Sequence, residues 1–269
     1  MDLIGAVANL VRDEGLEVDV PIDLRSTNNV VAWMFPSPVV AKIARDFDRS
    51  ARELRLATSL SGLGAPVVPP VEIGLVQPVN VEGHWVTFWH HVVDERSASA
   101  AAVADSLSKL HLGLSQTSSP SELPRCEDRL WAAVELLHTS DHLGGLSELD
   151  VALLRRALLD GIEALDSTSG SSRVLHGSPH RFNILVTGGK AVFIDFETVE
   201  TGPLEWDLAH LEDEAADLYP AELDQDLLGT CRMAISAATS TWCWEEVDRG
   251  ADMRSHAMRH LETVRRSPT

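Results

Sequence analysis

The amino-acid sequence predicts an α+β protein in which a small, mostly antiparallel sheet comes first and a larger helical part follows. Short β-branched runs separated by turn residues dominate the first ninety or so residues. From Ser97 onward, alanine- and leucine-rich segments with helical spacing take over. This change places a boundary near Val93-Asp94, so we expect two lobes, residues 1–93 and residues 94–269.

The N-terminal part is expected to contain a sheet with an inserted helix. The chain opens with an amphipathic helical pattern, MDLIGAVANLVRDEG. The following runs VDVPIDL, VVAWMF and VVAKIA are typical of strands, and the last two would form a hairpin across Pro36-Ser37-Pro38. A helix is predicted in ARDFDRSARELRLATSLSGLG, and two more strands in EIGLVQPV and HWVTFWHHV.

The C-terminal part is expected to be helical with one interruption. Helices are predicted in SASAAAVADSLSKLHLGL, RLWAAVELLH and LDVALLRRALLDGIEALD. Residues 173–195 break this pattern with short strands on either side of the turn TGGK, and the chain becomes helical again from about Trp206.

The charge of the chain limits the kinds of molecule that the protein is expected to bind. The net charge of −19 arises from 41 acidic and 22 basic residues among 269. Such a field repels phosphate backbones and anionic lipid, so we expect neither a nucleic-acid nor a membrane partner. It would favour a cationic ligand, although acidity also serves solubility.

The cellular compartment is predicted from sequence features that are lacking: a membrane span, a signal peptide and a disulfide framework. No run approaches the roughly 18 apolar residues of a membrane span, and the N-terminus lacks the pattern of a signal peptide. Three scattered cysteines do not form a disulfide framework or a zinc ribbon. The expectation is a reduced, cytoplasmic protein.

The segment LHGSPHRFNILVTGGKAVFIDFETVETGPLEWDLAHLEDE contains the most informative residues. Asp195 follows the apolar run AVFI, and Asn183 begins the predicted strand NILV. Amide and carboxylate oxygens that converge from adjacent strand ends suit Mg²⁺. Glu197, two residues after Asp195, could face the same cleft.

A lysine in the N-terminal part points to phosphate binding. Lys42 lies in VVAKIA, an apolar strand in which a lysine is costly unless it is paired. Glu53, on the following predicted helix, is the natural partner. A lysine held by a helix glutamate and directed at a cleft is an arrangement that binds phosphate groups.

Taken together, HGSPHRFN, IDFE and GPLEWDLA resemble the motifs of the aminoglycoside phosphotransferase and choline-kinase-like family, in the same order. STNNVV, VVAKI and the helix that bears Glu53 match the N-terminal lobe of that family more loosely. The resemblance implies a bilobal protein-kinase-like fold. It also implies a phosphotransferase that uses ATP or GTP with Mg²⁺.

The resemblance assigns expected roles residue by residue. Lys42 would hold the α and β phosphates and Glu53 would orient it, while Asn183 and Asp195 would bind the metal. Asp207 would hydrogen-bond the loop at His176 and Gly177. Further nucleotide contacts are expected over the phosphates and at a hinge for the base, from Ser26, Thr27, Asn28, His90 and Val92.

Ser178 departs from the family pattern, which has a catalytic aspartate at this position. A serine does not ionise near neutral pH, so Ser178 cannot act as the base toward the substrate hydroxyl. His180 or Glu197 could substitute, or the acceptor could supply an easily lost proton.

We therefore expect transfer of the γ-phosphate to a hydroxyl of an aminoglycoside, an amino sugar, choline or a similar metabolite. The alternative is a catalytically silent kinase-like protein that binds nucleotide or acts as a scaffold. The sequence leaves the acceptor, the nucleotide and the oligomeric state open.

Overall fold

A computed structural model of the chain describes residues 3–26, 29–95, 97–117, 123–139, 143, 145–168, 172–246 and 250–266. The helices are α1 Leu3–Asp13, α2 Phe47–Gly62, α3 Ala100–Thr117, α4 Cys126–Thr139, α5 Glu148–Ser167, α6 Leu204–Leu208, α7 Asp213–Asp217, α8 Gln225–Glu245 and α9 Ala251–Arg265. The strands are β1 Val18–Ser26, β2 Val30–Pro36, β3 Val39–Ala44, β4 Val79–Val81, β5 His84–His90, β6 Arg173–Leu175, β7 Ile184–Thr187, β8 Lys190–Phe193 and β9 Glu200–Gly202. Short 3-10 turns lie at Arg181–Asn183 and Phe196–Thr198.

The chain divides into two compact units. The first contains Met1–Ser118 and Arg181–Thr198, and the second contains Ser119–His180 and Val199–Thr269. The chain passes from one unit to the other at three points, whereas the predicted lobes are separated at a single point. The lobe boundary near Val93-Asp94 stays a prediction.

The first unit contains a five-stranded antiparallel sheet in the order β1-β2-β3-β5-β4. Side chains alternate between the faces of a strand, so Ala32 and Met34 of β2 enter one apolar core while Trp33 between them does not. Helix α1 supplies Val7 and Val11 to the same core. A separate two-stranded hairpin of the unit, β7–β8, is preceded and followed by the 3-10 turns.

The second unit is mostly helical. Its core is formed by α4, α5, α8 and α9, with Leu130, Leu154 and Leu158 fully buried. A short antiparallel pair, β6–β9, lies beside α6. The predicted α+β class, with an antiparallel N-terminal sheet and a helical C-terminal part, is confirmed.

One predicted strand is wrong. EIGLVQPV does not form a strand, and β4 begins only at its last residue, Val79. Gly74 adopts a positive φ of 83° there, and the side chain of Gln77 takes hydrogen bonds that a ladder would otherwise make. Its Nε2 donates to the Val71 carbonyl at 2.6 Å, and its Oε1 accepts from the Phe88 amide at 2.7 Å.

Within the described ranges, every helix is too short or too polar to cross a lipid bilayer.

Candidate active site

Strand β3 places Lys42 among apolar neighbours. Lys42 pairs with Val31 of β2 and with Thr87 of β5, and only 9% of the residue is exposed. Its strand neighbours Ala41 and Ile43 belong to the core beneath α1, so the lysine side chain projects from the other face of the sheet. An ammonium group buried in this way requires compensating negative charge.

Three carboxylates supply that charge. The Nζ of Lys42 lies 2.8 Å from Glu53 Oε2, 2.8 Å from Asp195 Oδ1 and 2.8 Å from Glu197 Oε1. The predicted pairing of Lys42 with Glu53 is therefore confirmed. Four of the residues singled out in the sequence thus meet within the first unit.

Each carboxylate is fixed by its own backbone element. Glu53 is buried on α2, and its second oxygen accepts a hydrogen bond from the Phe196 amide at 3.1 Å. Asp195 follows β8 with a φ of 69°, a left-handed conformation that is uncommon for a residue other than glycine and that turns the chain abruptly at this point. Glu197 accepts a hydrogen bond from Asn29 Nδ2 at 2.8 Å.

Burial and charge shift the pKa values of this cluster. Burial by itself would lower the pKa of Lys42, but the attraction of Glu53, Asp195 and Glu197 outweighs it and raises that pKa above its usual value. Burial raises the pKa of Glu53; Lys42 opposes this change, whereas Asp195 and Glu197 add to it. The lysine therefore stays charged, and the site holds an excess of negative charge.

The same carboxylates could hold a metal ion. One oxygen from each of Glu53, Asp195 and Glu197 lies within 4.8 Å of the others. The buried Asn183 is tied to the same strand end, because its carbonyl accepts the Ile194 amide at 3.0 Å. These hard oxygen donors fit Mg²⁺. The assignment of Asn183 and Asp195 as ligands stays a prediction, and Glu197 is a further candidate.

The predicted hinge is fixed by backbone hydrogen bonds within the first unit. His90 closes β5, and its amide donates to the Pro69 carbonyl at 3.2 Å. The next amide, of His91, donates to the Pro38 carbonyl at 2.9 Å. Val92 follows and is half-buried. The role of His90 and Val92 in nucleotide binding stays a prediction.

The loop predicted to cover the phosphates is only partly described. Ser26 ends β1, but its side chain, with Thr27 and Asn28, lies outside the described residues. Asn29 begins the next described segment, and its hydrogen bond to Glu197 joins the end of this loop to the carboxylate cluster.

Ser178 lies in the second unit, in a loop braced by Asp207. The two oxygens of the fully buried Asp207 accept the amides of His176 and Gly177, each at 2.8 Å. The predicted bracing of this loop is therefore confirmed. Ser178 itself is 6% exposed, and its amide donates to His176 Nδ1 at 3.4 Å.

A second brace of the loop was not foreseen. Arg129 of α4 donates from Nη1 to the Gly177 carbonyl at 2.6 Å and pairs with Glu200 at 3.1 Å. Glu200 also accepts the indole N–H of Trp206 at 2.6 Å. Burial raises the pKa of Glu200 to about 7, although Arg129 and Trp206 favour its charged form. No motif marks Arg129, because it is one arginine at the start of a predicted helix.

His180 also lies in the second unit. Its amide donates to the Ser178 carbonyl at 2.8 Å, and its ring is 6.3 Å from that of His210. Burial, aided by the charge of Arg129, lowers the pKa of His210 to about 3, so His210 is neutral at physiological pH. The catalytic roles considered for Ser178, His180 and Glu197 stay predictions.

Comparison with protein families decides the class of the protein. A sequence model described as the phosphotransferase enzyme family matches residues 29–247. The chain belongs to this family. The match includes Lys42, the Ser178 loop and the segment from Asn183 to Asp207. No curated protein sequence matches the chain.

Solved structures of similar fold agree with this family assignment. APH(2")-IIia, determined as a GDP and kanamycin complex, is 15% identical with a TM-score of 0.74, over 98% of this chain and 99% of that one. Choline kinase LicA from Streptococcus pneumoniae is 12% identical with a TM-score of 0.71, over 96% and 97% of the two chains. Amicoumacin kinase hAmiN, determined with AMP-PNP and Ca²⁺, is 11% identical with a TM-score of 0.68, over 95% and 92%. At these identities the similarity establishes the kinase-like fold.

Membership of the phosphotransferase enzyme family makes this protein a kinase that acts on small-molecule hydroxyls. The predicted family and the predicted enzyme class are both confirmed.

Proposed function

We propose that this phosphotransferase moves the γ-phosphate of ATP or GTP to a hydroxyl group of a small molecule in a Mg²⁺-dependent reaction. The observation that carries the proposal is the buried Lys42, with three carboxylate oxygens at 2.8 Å from its Nζ. One carboxylate would suffice to balance the charge of the lysine, whereas the three present are the groups that a phosphate-binding lysine and a metal site both require.

The proposed roles follow from this geometry. Lys42 binds the α and β phosphates, and Glu53 holds the lysine in place from α2. Asn183 and Asp195 bind the metal, with Glu197 as a further oxygen donor beside them. Bound Mg²⁺ would neutralise charge on the phosphate oxygens. Phosphate entry would require Lys42 to exchange at least one of its present carboxylate partners, because all three lie in direct contact with it.

The nucleotide could carry either purine. Solved neighbours contain GDP, AMP-PNP or ADP, which supports nucleotide binding without favouring ATP over GTP. Val31 and Val40 lie on the same face of the sheet as Lys42, so apolar side chains beside the lysine would contact the base.

The proposed acceptor is an aminoglycoside, an amino sugar, choline or a similar, cationic metabolite. The net charge of −19 would attract a cation. Neighbours of similar fold include a kanamycin complex and a choline kinase. These observations support a class of acceptor.

Ser178 shapes the proposed mechanism. Phosphoryl transfer is accelerated mainly by positioning and charge stabilisation, whereas general-base help contributes about 10²- to 10⁴-fold. Turnover without an aspartate at this position is therefore slower but chemically feasible. Of the two substitutes considered, Glu197 is engaged by Lys42 and Asn29, and His180 adjoins Ser178 in the loop.

Ser178 also favours the alternative function. A family member that lacks the base could bind nucleotide and act as a sensor or scaffold without turning over. Nucleotide binding without phosphate transfer to any hydroxyl acceptor would support this alternative.

Calorimetric titration of ATP and of GTP, with and without Mg²⁺, tests the proposed site. We expect Mg²⁺-dependent binding to the wild type and at least tenfold weaker binding to Asp195→Ala, since about 1.4 kcal/mol of lost ligation has that effect. Asp105→Ala is the matched control, because Asp105 is an exposed carboxylate of the same unit that pairs only with Lys109 among the described contacts. A folded wild type that binds neither nucleotide would refute the proposal.

A further inference from the structure

We propose that Arg129 is a positioning residue for the Ser178 loop, defined here as residues 176–180, and that it fixes the orientation of the peptide that joins Gly177 to Ser178. The geometry of the loop carries this inference. Its consequence for turnover rests on the proposed phosphotransferase function.

Both polar backbone groups of Gly177 are held by charged side chains. Its N–H donates to Asp207 at 2.8 Å, and its carbonyl accepts from Arg129 at 2.6 Å. Charge-assisted hydrogen bonds of this length are about twice as strong as neutral ones. Gly177 has a φ of 85°, which a residue with a side chain rarely adopts, so the loop needs such restraint to keep a defined shape.

The Arg129 bond acts directly on the residue that replaces the family base. The Gly177 carbonyl and the Ser178 amide belong to one planar peptide group. Arg129 holds the oxygen of this group, and His176 Nδ1 accepts its N–H at 3.4 Å. The position of the Ser178 side chain therefore depends on Arg129 through a single rigid peptide.

Arg129 is itself held in one orientation. Its Nη1 lies 3.1 Å from Glu200, and its guanidinium lies 5.4 Å from the centre of the Trp242 ring. Glu200 accepts the indole N–H of Trp206, the residue before Asp207. The two braces of Gly177 are thus joined through neighbouring residues of α6.

A purely structural role for Arg129 would explain less of this geometry. Neutralising the buried Glu200 requires a cation near its carboxylate, but it does not require a bond to the Gly177 carbonyl. The planar guanidinium can stack on Trp242 while the same group donates to two oxygens, an arrangement that a lysine reproduces poorly.

The inference predicts a measurable change in the loop without any substrate. Hydrogen–deuterium exchange of the peptide that contains Gly177 and Ser178 should be at least tenfold faster in Arg129→Met, and intermediate in Arg129→Lys, than in the wild type. The double variant Arg129→Met/Glu200→Gln removes the uncompensated buried carboxylate while keeping an acceptor for Trp206. Fast exchange should persist in it if the bond to Gly177 holds the loop. Return of wild-type protection in the double variant would overturn the inference.

Arg265→Met is the matched control. Arg265 also pairs with a buried carboxylate of the second unit, Asp150, at 2.8 Å, but it has no described contact with the Ser178 loop. We expect unchanged exchange at residues 177 and 178 in this variant. Equal acceleration in Arg129→Met and Arg265→Met would show a general loss of stability and overturn the inference.

A kinetic measurement separates positioning from nucleotide binding. Phosphate release from MgATP, with water as the acceptor, should show a kcat reduced about ten- to a hundredfold in Arg129→Lys, because the loop also contains His180, the candidate substitute base, and small displacements of reacting groups have effects of this size. The KM for MgATP should stay within twofold of the wild type. An unchanged kcat would overturn the catalytic consequence. Absence of MgATP binding by the wild type would refute the proposed function instead, and the exchange result would stand independently.

Discussion

At the scale of single residues, the excess of carboxylates around Lys42 is the chemically decisive feature. One of the three neutralises the lysine, and the other two leave uncompensated charge within 4.8 Å. Like charges at this separation repel, so burial and repulsion together raise the pKa of Glu53. A cation that joined the cluster would relieve the repulsion, which supports the proposed metal site.

The missing carboxylate at Ser178 is expected to limit the rate of phosphate transfer. The substitution Ser178→Asp should raise this rate by about a hundredfold, because a carboxylate would restore general-base help of that order. The measurement is formation of ADP and of the phosphorylated acceptor from MgATP, with choline or kanamycin as probe acceptors. Nucleotide affinity should be unchanged.

The control for Ser178→Asp is Ser178→Asn, which has a similar size and no basic carboxylate. A rate that falls in Ser178→Asp relative to the wild type would contradict the prediction and show that the serine belongs to a working, altered mechanism. An equal rise in both variants would show that size, and not basicity, limits the wild type.

At the scale of secondary-structure elements, the crossing of α5 and α8 depends on a glycine. A Cβ on Gly161 would overlap the Cβ of Ala234 and would lie 3.2 Å from Leu130 Cδ1. These atoms belong to α8 and α4, so α5 can pack between both helices only where it carries no side chain.

Gly161→Ala should lower the free energy of unfolding by about 1–3 kcal/mol, because overpacking of the core outweighs the better helix propensity of alanine. Urea unfolding followed by circular dichroism measures this change. The matched control is Gly229→Ala in α8, where nothing lies within 4 Å of the added Cβ. There the same substitution should stabilise the protein by up to about 1 kcal/mol. Stabilisation by both variants would contradict the described packing.

Elements also set the limits of sequence interpretation. The β-branched runs of β2 and β3, bounded by turn residues, and the helical spacing of α1 were predictable, because each pattern is local in the chain. The absence of a strand in EIGLVQPV was not predictable, because the side chain of Gln77 makes the hydrogen bonds that a backbone ladder would make there. The pairing of β6 with β9 was missed as well, since β9 has only three residues.

At the scale of the whole molecule, buried ionisable groups make stability depend on pH in opposite directions. Glu200 has its pKa raised to about 7, so the folded state binds more protons than the unfolded state above about pH 4.5, and this group lowers stability as pH rises. Burial lowers the pKa of His210 to about 3 and of His260 to about 4. Between these lowered pKa values and the ordinary pKa of histidine, the unfolded state binds more protons than the folded state. These histidines therefore increase stability as pH rises.

A comparison of Glu200→Gln with the wild type isolates one of these contributions. The stability of the wild type relative to the variant should fall by roughly 3 kcal/mol between about pH 4 and pH 8, as a pKa shift of this size requires. The measurement is urea unfolding of both proteins across that range in about 0.5 M salt, which screens the general repulsion of the acidic surface. A difference that does not change with pH would contradict the raised pKa of Glu200.

The sequence by itself determined the fold class, the family, the pairing of Lys42 with Glu53 and the bracing of the loop by Asp207. Beta-branched runs, helical spacing and ordered motifs are local features of the chain, so they can be recognised from the sequence alone. Only the tertiary structure revealed that Asn29 reaches Glu197 across 168 positions and that Arg129 reaches Glu200 across 71. Contacts between residues so far apart follow no spacing rule, because they depend on how helices and strands pack and not on the period of any one element.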